Sequence, residues 1–221
     1  MCFSASASFG AAIILSAISI STIKKVEKPS QIYFACIPLL FCAQQLSEGF
    51  LWLALTQPAY ALFQNITTYI FLFFAQILWP VWLPFSLYKL ENNSRIKQKI
   101  KLFLGMGILV SFYLAYCLIS FDVKAEIVGY HISYIQNYPI LFGNYGDLLY
   151  IMATTLPPLI SSIKRMWTLG ATIFISYVFT LFFYADYVIS VWCFFASAIS
   201  VAVLYLIMQM KHPTKKISLK Y

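Results

Sequence analysis

The sequence predicts an all-α, polytopic membrane protein, a bundle of seven transmembrane helices, on the strength of three observations. Of its 221 residues, 62% are hydrophobic and 10% are charged, whereas soluble domains have roughly 45–50% and about 25%. Seven apolar stretches each approach or exceed the roughly 20 residues that a helix needs to cross a bilayer core of about 30 Å. Basic residues recur on alternate connections between these stretches. This composition excludes an ordinary soluble globular domain.

The seven expected spans follow one another with mostly short polar breaks. Each must be helical, because the bilayer core offers no water to unpaired backbone groups. The expected spans are residues 5–23, 31–55, 60–88, 102–121, 145–163, 167–184 and 187–210. Residues 1–210 are therefore expected to form one transmembrane helical domain, and residues 211–221 a basic cytoplasmic tail.

The distribution of basic residues predicts the orientation. Fourteen of the fifteen Lys and Arg residues lie on one set of alternate connections, and the exception is Lys124. Short loops rich in Lys and Arg stay in the cytoplasm, so we expect the N-terminus outside and the C-terminus inside the cytoplasmic membrane of a prokaryote. The basic residues of the cytoplasmic loops thus account for the net charge of +8. This charge therefore does not indicate a nucleic-acid partner, and none is expected. Lysines follow the first apolar stretch and do not precede it, which argues against a cleaved signal peptide.

Other patterns predict local structure. In the outer loop 121–144, apolar and polar residues alternate around Gly129, which favours a short hairpin. Small residues recur every fourth position in the first span, which allows close helix packing; they are Ser4, Ser8, Ala12 and Ser16. The five tryptophans fall toward the span boundaries, where they are expected to act as interfacial anchors.

Glu48 is the clearest candidate for a functional residue, because an ionisable side chain inside a membrane is costly. Gln44, Gln45, Glu48 and Trp52 share one face of the second span. Two interpretations are open. The residues form an interhelical hydrogen-bond cluster in which burial keeps Glu48 protonated, or they line an outward-facing pocket for a proton, a metal cation or a small solute.

Three more residues on the outer side are candidates. Asp147, at the start of the fifth span, is a possible ligand in this pocket, although an acid there also complements the helix dipole. His131 is a candidate metal ligand together with Cys2 and Glu48. Cys2 is a candidate catalytic nucleophile, because removal of Met1 would leave a thiol beside a free α-amine that can act as its base.

The chain resembles a family of uncharacterised prokaryotic integral membrane proteins. The resemblance covers mainly the first two spans, with a further shared element at residues 79–84. It rests on Met-Cys-Phe-Ser-Ala-Ser-Ala-Ser-Phe at residues 1–9, on residues 37–45, and on Glu48, Gly49 and Trp52. The family has no known activity. The resemblance implies that the outer N-terminus and the polar face of the second span are paired, so that Cys2, Ser4, Gln44, Gln45 and Glu48 form one site.

Three functions are therefore open. The first is binding or transport of a small solute, proton or metal cation by the pocket around Glu48. The second is a membrane-embedded enzyme that uses Cys2 at the outer face. The third is an accessory subunit of a membrane complex. The lipid bilayer is the expected partner in each case, and no pattern indicates a cofactor or an oligomeric state.

Overall fold

A computed structural model describes residues 4–139 and 145–211. Most of these residues are helical. The helices are α1 (Ala5–Ile23), α2 (Ile32–Ala35), α3 (Ile37–Thr56), α4 (Gln64–Leu72), α5 (Trp79–Leu90), α6 (Ser94–Ser120), α7 (Tyr145–Ile160), α8 (Trp167–Phe183), α9 (Val188–Phe194) and α10 (Ala196–Lys211). Three 3-10 turns, Pro29–Gln31, Pro58–Phe63 and Ala185–Tyr187, and one π-helical segment, Phe73–Leu78, lie between them.

Within residues 4–139 and 145–211, five helical stretches are long and apolar enough to cross a membrane. They are Ala5–Ile23, Pro29–Thr56, Pro58–Leu90, Ser94–Ser120 and Val188–Met210. Shorter apolar helices, Asp147–Ile160 and Trp167–Phe183, occupy the other two expected stretches. Large apolar side chains point outward, as at Ile13, Leu109 and Phe182. An apolar exterior of this extent is typical of a protein that lipid surrounds.

The expected hairpin is confirmed. Strands β1 (Val123–Val128) and β2 (His131–Gln136) pair in antiparallel register, with Val128 opposite His131. The two-residue turn between them suits Gly129, whose φ of 63° is strained for other residues. Ala125 and Ile132 are buried against Leu51 and Trp52 of α3. We call this end of the bundle the hairpin end and the opposite end the basic end.

Three of the expected spans are interrupted helices. The second breaks at Cys36, before Pro38, whose missing N–H leaves the carbonyl four residues earlier without a donor. The third contains the π-helical segment immediately before Trp79 and Pro80. The seventh breaks at Phe195, between α9 and α10. At the first two breaks, Pro38 and Pro80 leave backbone carbonyl groups without their helical donors.

Helix α1 packs against α3 and α10, and the buried Ser8 and Ala12 agree with the small-residue pattern. The largest apolar core fills the basic half of the bundle and includes Leu15, Phe34, Phe41, Leu87, Met166 and Leu206. The anchor prediction was wrong for Trp52 and Trp79, since both side chains are buried. Trp167 is exposed, as an anchor requires.

Helix α6 crosses α5 at very short range. A Cβ atom on Gly107 would lie 1.8 Å from the carbonyl oxygen of Pro80. The N–H that would bond to this carbonyl in an α-helix belongs to residue 84, but Pro84 has no N–H. The backbone of α6 at Gly107 covers the carbonyl instead. Only a residue without a side chain fits at this crossing.

We expect Gly107→Ala to destabilise the protein by about 1–3 kcal/mol through overpacking. Gly105→Ala is the matched control, because a Cβ atom there meets nothing within 4 Å and alanine favours helix by about 0.5–1 kcal/mol. The two variants are purified in the same detergent, and their melting temperatures are compared. Equal melting temperatures for both variants would contradict the close crossing.

The charge pattern predicts that the hairpin lies outside the cell and the α5–α6 loop inside it. In a Cys2→Ser background, Lys124→Cys, at an exposed position, is expected to react with a membrane-impermeant maleimide in intact cells. Lys99→Cys, also at an exposed position, is expected to react only after the cells are opened. Labelling of the Lys99 position in intact cells, with labelling of the Lys124 position only after the cells are opened, would show the opposite orientation.

Candidate functional site

The carboxyl group of Glu48 is enclosed inside the bundle. Its side chain is 0% exposed. The Ser190 hydroxyl of α9 donates to Oε1 at 2.8 Å, and the Gln45 amide donates to Oε2 at 3.4 Å. We call these three residues the Glu48 cluster. Hydroxyl and amide donors satisfy a carboxyl oxygen without adding charge, so they can serve both protonation states.

Gln44 faces a different neighbour from Gln45. Its Oε1 accepts a hydrogen bond from the indole N–H of Trp79 at 2.8 Å, and both side chains are buried. The Trp79 ring in turn stacks on Phe41, with 4.0 Å between ring centroids. This contact joins α3 to the start of α5 next to the Glu48 cluster.

The π-helical segment supplies carbonyl groups that side chains of other helices satisfy. In π geometry the carbonyl of Ala75 would bond to the N–H five residues later, but that residue is Pro80. The Tyr150 hydroxyl of α7 donates to this carbonyl at 2.5 Å. The Ser111 hydroxyl of α6 likewise donates to the carbonyl of Ile77 at 2.8 Å. Side chains from two helices thus hold the interrupted helix in place.

The same segment is bonded to the hairpin. The Gln76 amide donates to Oε1 of Gln136 at 3.0 Å, and the Tyr138 hydroxyl donates to Oε1 of Gln76 at 3.2 Å. We call these three residues the hairpin contact. Burial raises the pKa of Tyr138, and the neighbouring Cys117 and Tyr69 add to the shift, so its hydroxyl stays protonated and able to donate. The hairpin is therefore attached to the membrane-embedded part by neutral groups.

Two buried donors near the hairpin have no hydrogen-bond partner among the described residues. They are the indole Nε1 of Trp52, beneath the strands, and the amide Nε2 of Gln136. A buried polar group without a partner carries a desolvation penalty of about 1–3 kcal/mol. Both groups can donate to an acceptor atom that enters this region.

The structure brings Gln45 and Glu48 into hydrogen-bond contact. Gln44 accepts a hydrogen bond from Trp79, and Asp147 is exposed in the first turn of α7. Cys2 lies outside the described residues, so its proposed roles stay predictions.

His131 is half-buried at the start of β2, where its ring stacks on Tyr187 with 4.8 Å between centroids. Desolvation lowers the pKa of His131, which favours the neutral ring at pH 7. No group of three or more His, Cys, Asp or Glu side chains that could hold a metal ion occurs in residues 4–139 and 145–211.

Sequence reasoning missed Glu91, which lies just after α5 at the basic end. Its carboxylate is 1% exposed. It accepts hydrogen bonds from the Ser162 hydroxyl at 2.5 Å, from the Ser162 N–H at 2.9 Å, from the Ser161 hydroxyl at 2.9 Å and from the Asn93 N–H at 2.9 Å. Burial alone would raise the pKa of Glu91, but these hydrogen bonds outweigh it and hold the pKa below its usual range. Glu91 thus links the α5–α6 loop to the α7–α8 loop.

We expect Glu91→Gln to lower stability by roughly 1.5–3 kcal/mol, as for hydrogen bonds to a charged group. Glu126→Gln, at an exposed position of β1, is the control and should leave the melting temperature unchanged. Because the folded pKa of Glu91 lies below the unfolded value, its contribution is complete above the unfolded pKa and is lost as pH falls through the folded pKa. Acidification below about pH 4.5 should therefore narrow the difference in melting temperature between wild type and Glu91→Gln. A difference that persists unchanged to lower pH would contradict this role.

Comparison with known proteins adds the family. No curated protein and no solved structure matches the chain. One family model matches residues 1–218, and its description is a family of unknown function, DUF6629. The match extends across the polar face of α3, the π-helical segment, the hairpin and the linked basic-end loops. The chain therefore belongs to the DUF6629 family.

Proposed function

We propose that this protein crosses the cytoplasmic membrane seven times, with the hairpin outside, and that Glu48 binds and releases a proton as a small solute or cation is bound from the outer side. The observation that carries this proposal is the fully buried Glu48 carboxyl, which accepts hydrogen bonds from the neutral donors Ser190 and Gln45. A buried carboxylate is costly in a low dielectric, whereas its protonated form is not. Loss of the proton from Glu48 therefore raises the free energy of the closed state strongly, and uptake of the proton lowers it.

Access from outside requires movement of the hairpin, because the Glu48 cluster is enclosed. The hairpin contact comprises two neutral hydrogen bonds, Gln76 to Gln136 and Tyr138 to Gln76. Such bonds contribute about 0.5–1.5 kcal/mol each. Opening must also separate Ala125 and Ile132 from α3 and break the hydrogen bond from the Gln64 amide to the Ala125 carbonyl. The adjoining π-helical segment supports this movement, since π-helical irregularities are frequent at functional sites.

Polar groups near the hairpin favour a solute that carries hydrogen-bond acceptors. The indole of Trp52 and the amide of Gln136 are buried donors without partners among the described residues. A solute oxygen or nitrogen that pairs with them removes their desolvation penalty.

Glu48→Gln keeps the size of the side chain but replaces the titratable carboxyl group with a neutral amide. Proteoliposomes that contain a pH indicator, and that face gradients of Na⁺, K⁺, Mg²⁺ or an acceptor-bearing solute such as glycine in turn, provide the assay. We expect at least one gradient to drive proton movement with wild type, and Glu48→Gln to fall to the rate of protein-free vesicles. Equal movement in wild type and Glu48→Gln would contradict the proposal, as would no movement above protein-free vesicles with wild type.

The control variant is Glu126→Gln, which makes the same change at an exposed position in β1. It should retain the wild-type rate. Ser190→Ala removes one donor from Glu48 and should give an intermediate rate. If all three variants fold and transport like wild type, Glu48 is a structural residue and the accessory-subunit hypothesis becomes the better account.

A further inference from the structure

We propose that the basic end holds a binding site for the phosphate of an anionic phospholipid, in the groove between the end of α5 and the first two turns of α6. This site is separate from the Glu48 cluster and does not depend on the proposed function. The groove has a volume of about 260 Å³ and is lined by Tyr88, Ser94, Lys97, Gln98 and Lys101.

The groove combines charge with hydrogen-bond donors. Lys97 and Lys101 are four residues apart on α6, so their side chains lie on one face of the helix. Ser94 and Gln98 share that face and add a hydroxyl and an amide. No Asp or Glu is among the five lining residues. Two ammonium groups with neutral donors beside them fit a singly charged phosphate diester and its polar head.

Tyr88 fixes the position of one lysine. The Lys97 ammonium lies 4.8 Å from the centre of the Tyr88 ring, close enough for a cation–π contact. This contact places the ammonium at the wall of the groove. A charge that is already positioned loses less freedom when a phosphate binds.

The length of α6 places the groove at headgroup depth. The helix has 27 residues, which gives about 40 Å at 1.5 Å per residue. A hydrocarbon core of about 30 Å leaves roughly two turns outside it. The apolar part of the helix begins at Leu102, so Ser94 to Lys101 are the residues that project into the headgroup layer.

The groove is continuous with a lipid-facing stripe on the same helix, and this favours a lipid over soluble phosphate. From Lys101 the exposed positions continue at steps of three and four residues along the apolar part; they are Gly105, Ile108, Phe112, Tyr116 and Ile119. An acyl chain that lies along this stripe brings its own phosphate to Lys101 and Lys97. Basic pockets at membrane boundaries recognise anionic headgroups in this manner.

The test compares two double variants of equal charge change. Lys97→Gln/Lys101→Gln alters the groove, whereas Arg95→Gln/Lys99→Gln removes two charges from exposed positions on the same helix that do not line it. Native mass spectrometry of the purified full chain measures binding of phosphatidylglycerol, with phosphatidylcholine as the neutral lipid. Melting temperatures establish that both variants fold.

We expect phosphatidylglycerol to bind wild type more tightly than phosphatidylcholine does. The groove double variant should bind it about 30-fold more weakly, and the control double variant less than about fivefold more weakly. Lys97→Arg/Lys101→Arg should retain the affinity. Equal losses of phosphatidylglycerol affinity in both glutamine double variants would show only a diffuse electrostatic attraction and would overturn the site. Equal affinity of wild type for the two lipids would also overturn it.

A competition with inorganic phosphate distinguishes the source of the phosphate group. We expect millimolar inorganic phosphate to leave bound phosphatidylglycerol in place, because it lacks the acyl chains that lie along α6. Displacement of the lipid by inorganic phosphate at similar concentration would assign the groove to a soluble phosphate and overturn the lipid assignment.

Discussion

A bilayer core has no water to offer a polar group, and this constraint governs the architecture of the chain. The exterior of the bundle is covered with apolar side chains, so a polar side chain in the spans is stabilised by a partner inside the bundle. Interrupted helices increase this demand, because they release backbone carbonyl groups. Tyr150 and Ser111 meet it at the π-helical segment, by donating to the carbonyls of Ala75 and Ile77.

The same constraint makes Glu48 unusual. Neutral donors on Glu48 allow it to be protonated without leaving a charge in the interior, and they also bond to the carboxylate when the proton leaves. Glu91 shows the contrasting solution at the basic end. It is surrounded by donors on all sides, including two backbone N–H groups, which stabilise the charged form. Glu91 therefore holds two loops together in its charged form, whereas Glu48 is the acid for which we propose a change of protonation state.

Much of the fold was predictable, because helix length, alternation around Gly129 and basic connections are local patterns in the sequence. The partners of the polar residues were not predictable. Gln45 bonds to Glu48 on the same helix face, but Gln44 bonds to Trp79, which lies 35 residues away in sequence. The role of Glu91 was invisible for the same reason, because its serine partners lie some 70 residues away in sequence.

Infrared difference spectroscopy of the protein in lipid nanodiscs can follow proton exchange at Glu48. Comparison of wild type with Glu48→Gln identifies the carbonyl band of the protonated Glu48 carboxyl. We expect this band to be present at neutral pH and to decrease reversibly as pH rises. A Glu48 band that stays constant while exposed carboxyl groups titrate would contradict proton exchange and identify Glu48 as a permanent structural hydrogen-bonding group.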